Sequence, residues 1–158
     1  TSLVQFIDLL DDRDRLQVMT FNTDIITLSP LSPLGEKRDD IKRRVSGIIE
    51  GGDTRLYDAA LKAYNDLTEN GDPKHIRAIV VLSDGQDTAS LQTLGQLMAQ
   101  IGTSGEEGGN AIKLFTVAFG DDADRGILEQ IAESTGGKQY DSDPQTIKEV
   151  YAKIATFF

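Results

Sequence analysis

A run of five apolar residues that ends in an acidic residue and a glycine constrains the fold of this chain most. Residues 78–85 read Ala-Ile-Val-Val-Leu-Ser-Asp-Gly. Such an unbroken run predicts a strand buried on both faces, as in a parallel sheet. In open α/β sheets the ligand crevice lies outside the carboxyl ends of the strands. The sequence therefore places the Asp84 carboxylate where ligands usually bind, either as a helix cap or as a cation ligand.

The order of helical and strand patterns predicts a single α/β domain over residues 1–158. Two strand patterns, at residues 16–21 and 25–28, form a hairpin, and the proline-containing stretch 29–35 is expected to be a loop. Helical spacing and apolar runs alternate after the hairpin. This alternation predicts a mostly parallel sheet with helices on both faces and one antiparallel edge strand. A chain of 158 residues has the ordinary size of one domain.

The composition excludes several classes of function. Acidic residues outnumber basic ones by 26 to 16, and the formal net charge is -10. This charge repels phosphate backbones, so nucleic acid is not an expected partner. The absence of cysteine excludes disulfides, thiolate metal sites and a cysteine nucleophile. No apolar stretch approaches the roughly 20 residues of a membrane span.

A second polar segment resembles a ligand loop. Residues 51–54 read Gly-Gly-Asp-Thr and stand directly before a helical pattern. Taken alone, Thr54 and Asp84 are each explained by helix capping. If both segments meet at one sheet edge, the hydroxyl and the carboxylate form a pair of hard oxygens that suits Mg²⁺, Mn²⁺ or Ca²⁺. Two such side chains alone would make a weak site.

The chain resembles the von Willebrand factor A (vWA) family at these two segments and along most of its length. The resemblance lies in residues 51–59 (Gly-Gly-Asp-Thr-Arg-Leu-Tyr-Asp-Ala), 80–85 (Val-Val-Leu-Ser-Asp-Gly), 14–21, 116–120, 128–132 and 135–137. It implies a doubly wound, Rossmann-like sheet and a protein-binding module that is not an enzyme. It also implies a metal-ion-dependent adhesion site (MIDAS), in which Mg²⁺, Mn²⁺ or Ca²⁺ binds an acidic side chain of a partner protein. By motif match, Thr54 is the second-loop metal ligand and Asp84 the third-loop ligand.

The sequence departs from the family at the first metal loop. The Asp-x-Ser-x-Ser motif of that loop does not occur in the 158 residues. The resemblance implies that the domain is N-terminally truncated, without its central first strand, and that it binds metal weakly or not at all. In the family that strand lies between the strands found here at residues 16–21 and 76–83.

The departure predicts two facing strand edges without a partner. Buried, unpaired backbone groups cost about 1–3 kcal/mol each, which a domain of about 5–15 kcal/mol stability cannot sustain along a whole strand. We therefore expect one of three outcomes. A segment outside the 158 residues supplies the strand, a second copy exchanges one, or the strands at 16–21 and 76–83 pair directly.

Two other functional hypotheses stay open. One is a structural vWA-like module without a working metal site. The other is a Mg²⁺-dependent phosphoacceptor or enzyme of flavodoxin-like fold, which needs a lysine at a later strand end, whereas the strand at 112–119 is followed by Gly120.

His75 has no evident catalytic partner, and Ser83 lacks a Gly-x-Ser-x-Gly elbow. The acidic cluster at 121–124 is interpreted as a helix cap. Bacterial members of the family are often exported or surface-linked, but the residues themselves indicate no location.

Overall fold

The computed structural model describes residues 2–22, 24–47, 55–71, 77–83, 90–101, 112–119, 123–142 and 147–155. Its helices are α1 (Ser2–Leu9), α2 (Arg38–Ser46), α3 (Leu56–Asn70), α4 (Leu94–Ile101), α5 (Arg125–Glu133) and α6 (Ile147–Ala155). Its strands are β1 (Arg15–Phe21), β2 (Ile25–Pro33), β3 (Ala78–Ser83), β4 (Lys113–Phe119) and β5 (Gln139–Ser142). A short 3-10 turn, Gly35–Lys37, leads into α2. None of the described helices is long and apolar enough to cross a membrane.

The strands form two sheets. β1 and β2 pair antiparallel, and β3, β4 and β5 form a parallel sheet in that order. Residues 114–118 of β4 are all buried, because β4 is hydrogen-bonded on both sides and covered on both faces. The predicted fold class is confirmed: the chain is α/β, with a parallel sheet and an antiparallel pair.

Strand β2 extends further than the sequence predicts. Residues 29–35 were expected to form a loop because they contain two prolines, yet β2 continues to Pro33, opposite Arg15. The ladder shifts register between Leu16 and Val18, and Pro30 has no partner in that register. Proline is tolerated on an edge strand and at such irregularities, because its missing N–H is not needed there.

Strand β3 is less buried than its apolar sequence predicts. Val81 and Ser83 are buried, whereas the other four residues of the strand are half-buried. Among the described strands β3 is bonded only to β4, so one of its edges has no strand beside it. Direct pairing of β1 with β3, one of the three predicted outcomes, does not occur in the described structure, where the two belong to different sheets.

Helices cover both faces of the parallel sheet. On one face, Phe6 of α1 packs with Phe115 and Val117 of β4 and with Val150 and Ile154 of α6. On the other face, the apolar side of α3 packs with α4, α5 and Leu114 of β4. Helix α1 also contacts the antiparallel pair, since Ile7 packs against Val18 and residues of α2. α1 therefore bridges the two sheets.

The connection from α5 to β5 passes unusually close to β4. A Cβ atom added at Gly137 would lie 1.8 Å from the carbonyl oxygen of Leu114. The backbone N–H of Leu114 donates to Thr135 Oγ1 over 2.8 Å. Gly136 has a φ of +80°, in the left-handed region that favours glycine. Only a glycine at position 137 allows this approach of the backbone to β4.

Replacing Gly137 by alanine is expected to lower the free energy of unfolding by about 3 kcal/mol, because the methyl group must displace the backbone of a buried strand. Gly95→Ala in α4 is the matched control: its new Cβ meets nothing nearer than 3.9 Å. The free energy of unfolding of Gly95→Ala should equal that of the wild type or exceed it by up to about 1 kcal/mol. Urea unfolding followed by circular dichroism measures both. Equal stability of the two variants would contradict the close approach.

Candidate functional site

The two predicted metal ligands lie outside the described residues. Thr54 directly precedes Arg55, and Asp84 directly follows Ser83, the last residue of β3. The elements next to them are described and meet: Leu56, the first residue of α3, packs in one cluster with Val81 of β3. The start of α3 therefore lies against the carboxyl-terminal half of β3. The assignment of Thr54 and Asp84 as ligands stays a prediction.

A buried carboxylate, that of Asp58, connects the two parts of the chain that follow the predicted ligand segments. Asp58, in the first turn of α3, has a side chain only 7% exposed. Its oxygens accept hydrogen bonds from the backbone N–H groups of Leu91 and Gln92, each over 2.8 Å. The backbone N–H of Asp58 donates in turn to Ser90 Oγ over 3.0 Å. We call this set of contacts the Asp58 clamp. It fixes residues 90–92, which follow the predicted Asp84 loop, to the helix that follows the predicted Thr54 loop.

An arginine completes the coordination of this carboxylate. Arg55 donates to Asp58 Oδ2 through Nε at 3.1 Å and through Nη2 at 2.7 Å. Burial raises the pKa of Asp58, but the N–H groups of Leu91 and Gln92 and the Arg55 guanidinium together outweigh it, and the net pKa is lowered. Asp58 is therefore charged at neutral pH. Because its oxygens already accept four donor groups, it positions the two segments and is not itself a candidate metal ligand.

Sequence reasoning missed the role of Asp58. The residue lies in the stretch that resembles the vWA family, but nothing in its neighbourhood marks it as buried. The available signal was an arginine three positions before an aspartate in the first turn of an apolar helix, which favours a local ion pair. The backbone donors that justify its burial lie 33 and 34 positions away.

Of the other residues singled out in the sequence, one lies within the described ranges and the others named here lie outside them. Asp124 caps α5, since its Oδ1 accepts from the N–H of Ile127 over 3.2 Å, and this agrees with the predicted cap. His75, Gly120, Asp121 and Asp122 lie outside the described residues. Within the part of the chain that is described, no group of three or more His, Cys, Asp or Glu side chains could hold a metal ion.

Comparisons with known proteins agree with this architecture. A family model described as von Willebrand factor type A domain matches residues 1–153. A comparison with curated proteins finds no match. Among solved structures, a von Willebrand factor type A protein from Catenulispora acidiphila superposes with a TM-score of 0.81 at 21% identity over 98% of this chain. The chain spans only 36% of that protein.

Two further structures share the fold. BatB from Bacteroides thetaiotaomicron has a TM-score of 0.74 and 16% identity, and the match covers 98% of this chain and 84% of the BatB chain. Proximal thread matrix protein 1 from the mussel byssus, in a structure with a zinc-occupied MIDAS motif, has a TM-score of 0.70 and 16% identity. That match covers 98% of this chain and 40% of the byssus protein. At these identities the likeness shows the fold alone.

The Asp58→Asn substitution is expected to lower the free energy of unfolding by about 2–3 kcal/mol. The amide keeps the shape but loses the charge that Arg55 and two backbone donors stabilise, and its NH₂ group faces donors. Asp141→Asn is the matched control, since Asp141 is 63% exposed and pairs with Arg125 at the surface; there we expect a loss of no more than about 1 kcal/mol. Similar losses in the two variants, measured by urea unfolding, would argue against the clamp.

The clamp also predicts a pH dependence. Because folding lowers the pKa of Asp58, its stabilising contribution is fully present above the unfolded-state pKa of about 3.9 and is lost as the pH falls through the folded-state value. The stability difference between wild type and Asp58→Asn should therefore be constant above about pH 5 and should shrink below about pH 4. Asp11, Asp40 and Asp66 also have lowered pKa values, but they are present in both proteins and cancel. A difference that stays constant down to about pH 2 would contradict the assignment.

Proposed function

The chain belongs to the von Willebrand factor type A family, and from this premise we propose that it is a protein-binding module whose complete site uses a divalent cation. In the complete site, Thr54 and Asp84 supply two of the oxygen ligands to Mg²⁺, Mn²⁺ or Ca²⁺. A cation held there would provide a coordination position for an acidic side chain of the partner protein. The family resemblance implies further ligands from a first loop that the 158 residues do not contain.

The observation that carries this proposal is the Asp58 clamp. It fixes residues 90–92 to the first turn of α3 through a charged carboxylate. Leu56 and Val81 pack together at the same place. The start of α3 and residues 90–92, which adjoin the segments that carry the two proposed ligands, are thus held together beside β3, and open α/β sheets bind ligands at the carboxyl ends of their strands. Binding sites benefit from such support, because a fixed site loses little entropy when it binds.

The two proposed ligands fit a hard cation in their chemistry but not in their number. A threonine hydroxyl and an aspartate carboxylate are oxygen donors of the kind that Mg²⁺ and Ca²⁺ prefer. The mussel byssus protein, which shares the fold and has a zinc-occupied MIDAS motif, supports a divalent cation as the bound ion. Two protein ligands are fewer than such a site needs for tight binding. We therefore propose that these 158 residues alone bind Mg²⁺ weakly or not at all.

A structural module without a working metal site is the second candidate. The observation that favours it is the sequence itself, which lacks Asp-x-Ser-x-Ser. The two candidates differ in what happens when that loop is supplied. A binding module gains a metal site, because the added loop supplies the ligands that the proposed pair Thr54 and Asp84 lacks, whereas a purely structural module does not.

Isothermal titration of the 158-residue protein with MgCl₂ is expected to give a Kd of about 1 mM or weaker. A variant extended at its N-terminus by an apolar strand and an Asp-x-Ser-x-Ser loop should bind at least about tenfold more tightly, because the missing oxygens are restored. Asp84→Ala in the extended protein should abolish that gain, and Asp141→Ala should preserve it.

Two outcomes would contradict the proposal. Micromolar Mg²⁺ affinity of the unextended chain, lost on Asp84→Ala, would show that its site is already complete. An extended protein that folds, as judged by circular dichroism, but gains no Mg²⁺ affinity would favour the structural module.

A further inference from the structure

Leu91 is the most exposed large apolar side chain among the described residues. It is 84% exposed, whereas the other two exposed large apolar residues of the described ranges, Leu9 and Ile26, are 44% and 50% exposed. The leucine side chain therefore stands almost entirely in solvent, just before helix α4.

The Asp58 clamp fixes the main chain at Leu91. The N–H of Leu91 donates to Asp58 Oδ2 and the N–H of Gln92 donates to Oδ1, each over 2.8 Å. The N–H of Asp58 donates back to Ser90 Oγ over 3.0 Å. The backbone of Leu91 is thus anchored to a buried, charged group, while its side chain lies in solvent.

The cap of α4 fixes the main chain on the other side of Leu91. The N–H of Gln96 donates to Thr93 Oγ1 over 3.1 Å, and the N–H of Thr93 donates to Gln96 Oε1 over 2.9 Å. These two bonds form a capping box. Leu91 therefore lies between two sets of hydrogen bonds that leave its backbone little freedom.

Core packing does not account for Leu91. Leu94, Leu97 and Ile101 place the apolar face of α4 against the core, and the cap at Thr93 starts the helix beyond Leu91. A leucine that stabilised the fold would be buried, because the favourable free energy comes from apolar surface removed from water. Single exposed leucines are common on protein surfaces, but this one combines high exposure with a fixed backbone.

Leu91 adjoins the proposed cation site through shared contacts. The N–H of Leu91 and the Nη2 group of Arg55 donate to the same oxygen, Asp58 Oδ2, over 2.8 and 2.7 Å. Arg55 is bonded directly to Thr54, one of the two proposed ligands. A partner that is held by a cation at Thr54 would therefore come within reach of Leu91.

The charge of the chain favours an apolar contact at this place. A net charge of -10 repels an acidic partner at long range. Burial of apolar surface adds attraction that does not depend on charge. A cation accepts any carboxylate, so it does not by itself distinguish one acidic partner from another.

We propose that Leu91 is a specificity-determining contact of the binding face, and that the partner carries a large apolar side chain near its acidic one. This inference rests on the proposed function. An extended segment advances about 3.3 Å per residue, so we place the apolar side chain within about four positions of the acidic residue. The fixed backbone of Leu91 loses little entropy on binding.

The probes are short glycine-rich peptides, each with one aspartate and with one leucine at one to four positions before or after it. Binding to the 158-residue protein with ¹³C-labelled leucine methyl groups is followed by NMR in about 20 mM MgCl₂, which fills a site with a Kd of about 1 mM. The tightest leucine peptide should bind about three- to tenfold more tightly than its alanine counterpart, and it should shift the Leu91 methyl signals.

Two variants test whether Leu91 carries this preference. Leu91→Ser should bind the leucine and alanine peptides equally. Leu9→Ser, at the end of α1, is the matched control and should keep the wild-type preference. The midpoint of urea unfolding of Leu91→Ser should equal that of the wild type, because the side chain is not part of the core; a core leucine would lower it.

An aspartate-to-asparagine change in the peptide separates this inference from the proposed function. Asparagine peptides that bind as well as aspartate peptides, or binding that survives EDTA, would contradict the proposed function. Aspartate-dependent binding with equal affinity for leucine and alanine peptides would overturn the role of Leu91 and leave the proposed function standing.

Three further results would overturn the inference. They are a leucine preference that persists in Leu91→Ser, a lowered unfolding midpoint of that variant, and unchanged Leu91 methyl signals with every peptide. The last result is to be checked both in the 158-residue protein and in the N-terminally extended protein, if the latter folds.

Discussion

Backbone N–H and C=O groups inside a sheet need partners, and this constraint governs the arrangement of the whole chain. β4 has a hydrogen-bonded strand on both sides, and residues 114–118 are all buried as a result. Within the described structure β1 and β3 each have a hydrogen-bonded strand on one side only, and their side chains are mostly half-buried. The sequence of β3 is as apolar as that of β4. The difference in burial therefore comes from the number of neighbouring strands and not from side-chain chemistry.

Helices rather than a ladder hold the two sheets in place. In α1, Phe6 packs into the cluster around β4 and α6, whereas the next residue, Ile7, packs into the cluster around β1 and α2. Arg38 of α2 fixes the end of α1 by donating to the carbonyls of Ile7 and Leu10, each over 2.6 Å. Cationic side chains at a helix carboxyl end satisfy otherwise unpaired carbonyls and complement the helix dipole. The two sheets are thus joined through α1 and α2, although no described strand connects them.

The sequence predicted what depends on local pattern and failed where distant neighbours decide. The hairpin, the parallel order of apolar strands and the Asp124 cap follow from residues close together in the chain, and all three are found. The extension of β2 to Pro33 was missed, because tolerance of proline depends on its being an edge strand. The buried charge of Asp58 was missed because its donors come from residues 90–92. The ligand roles of Thr54 and Asp84 rest on family resemblance, and the described residues supply only their support.

The gap between β1 and β3 follows from the same constraint. Apolar side chains of α1 and α3, among them Phe6 and Ala60, line it. Within the described structure neither strand has a neighbouring strand on that side, and the resemblance to the vWA family assigns this place to the central first strand. Leu56 and Val81, which also line the gap, pack together at the start of α3. A strand in this gap would therefore pair with both edges and run beside the helix that carries Asp58.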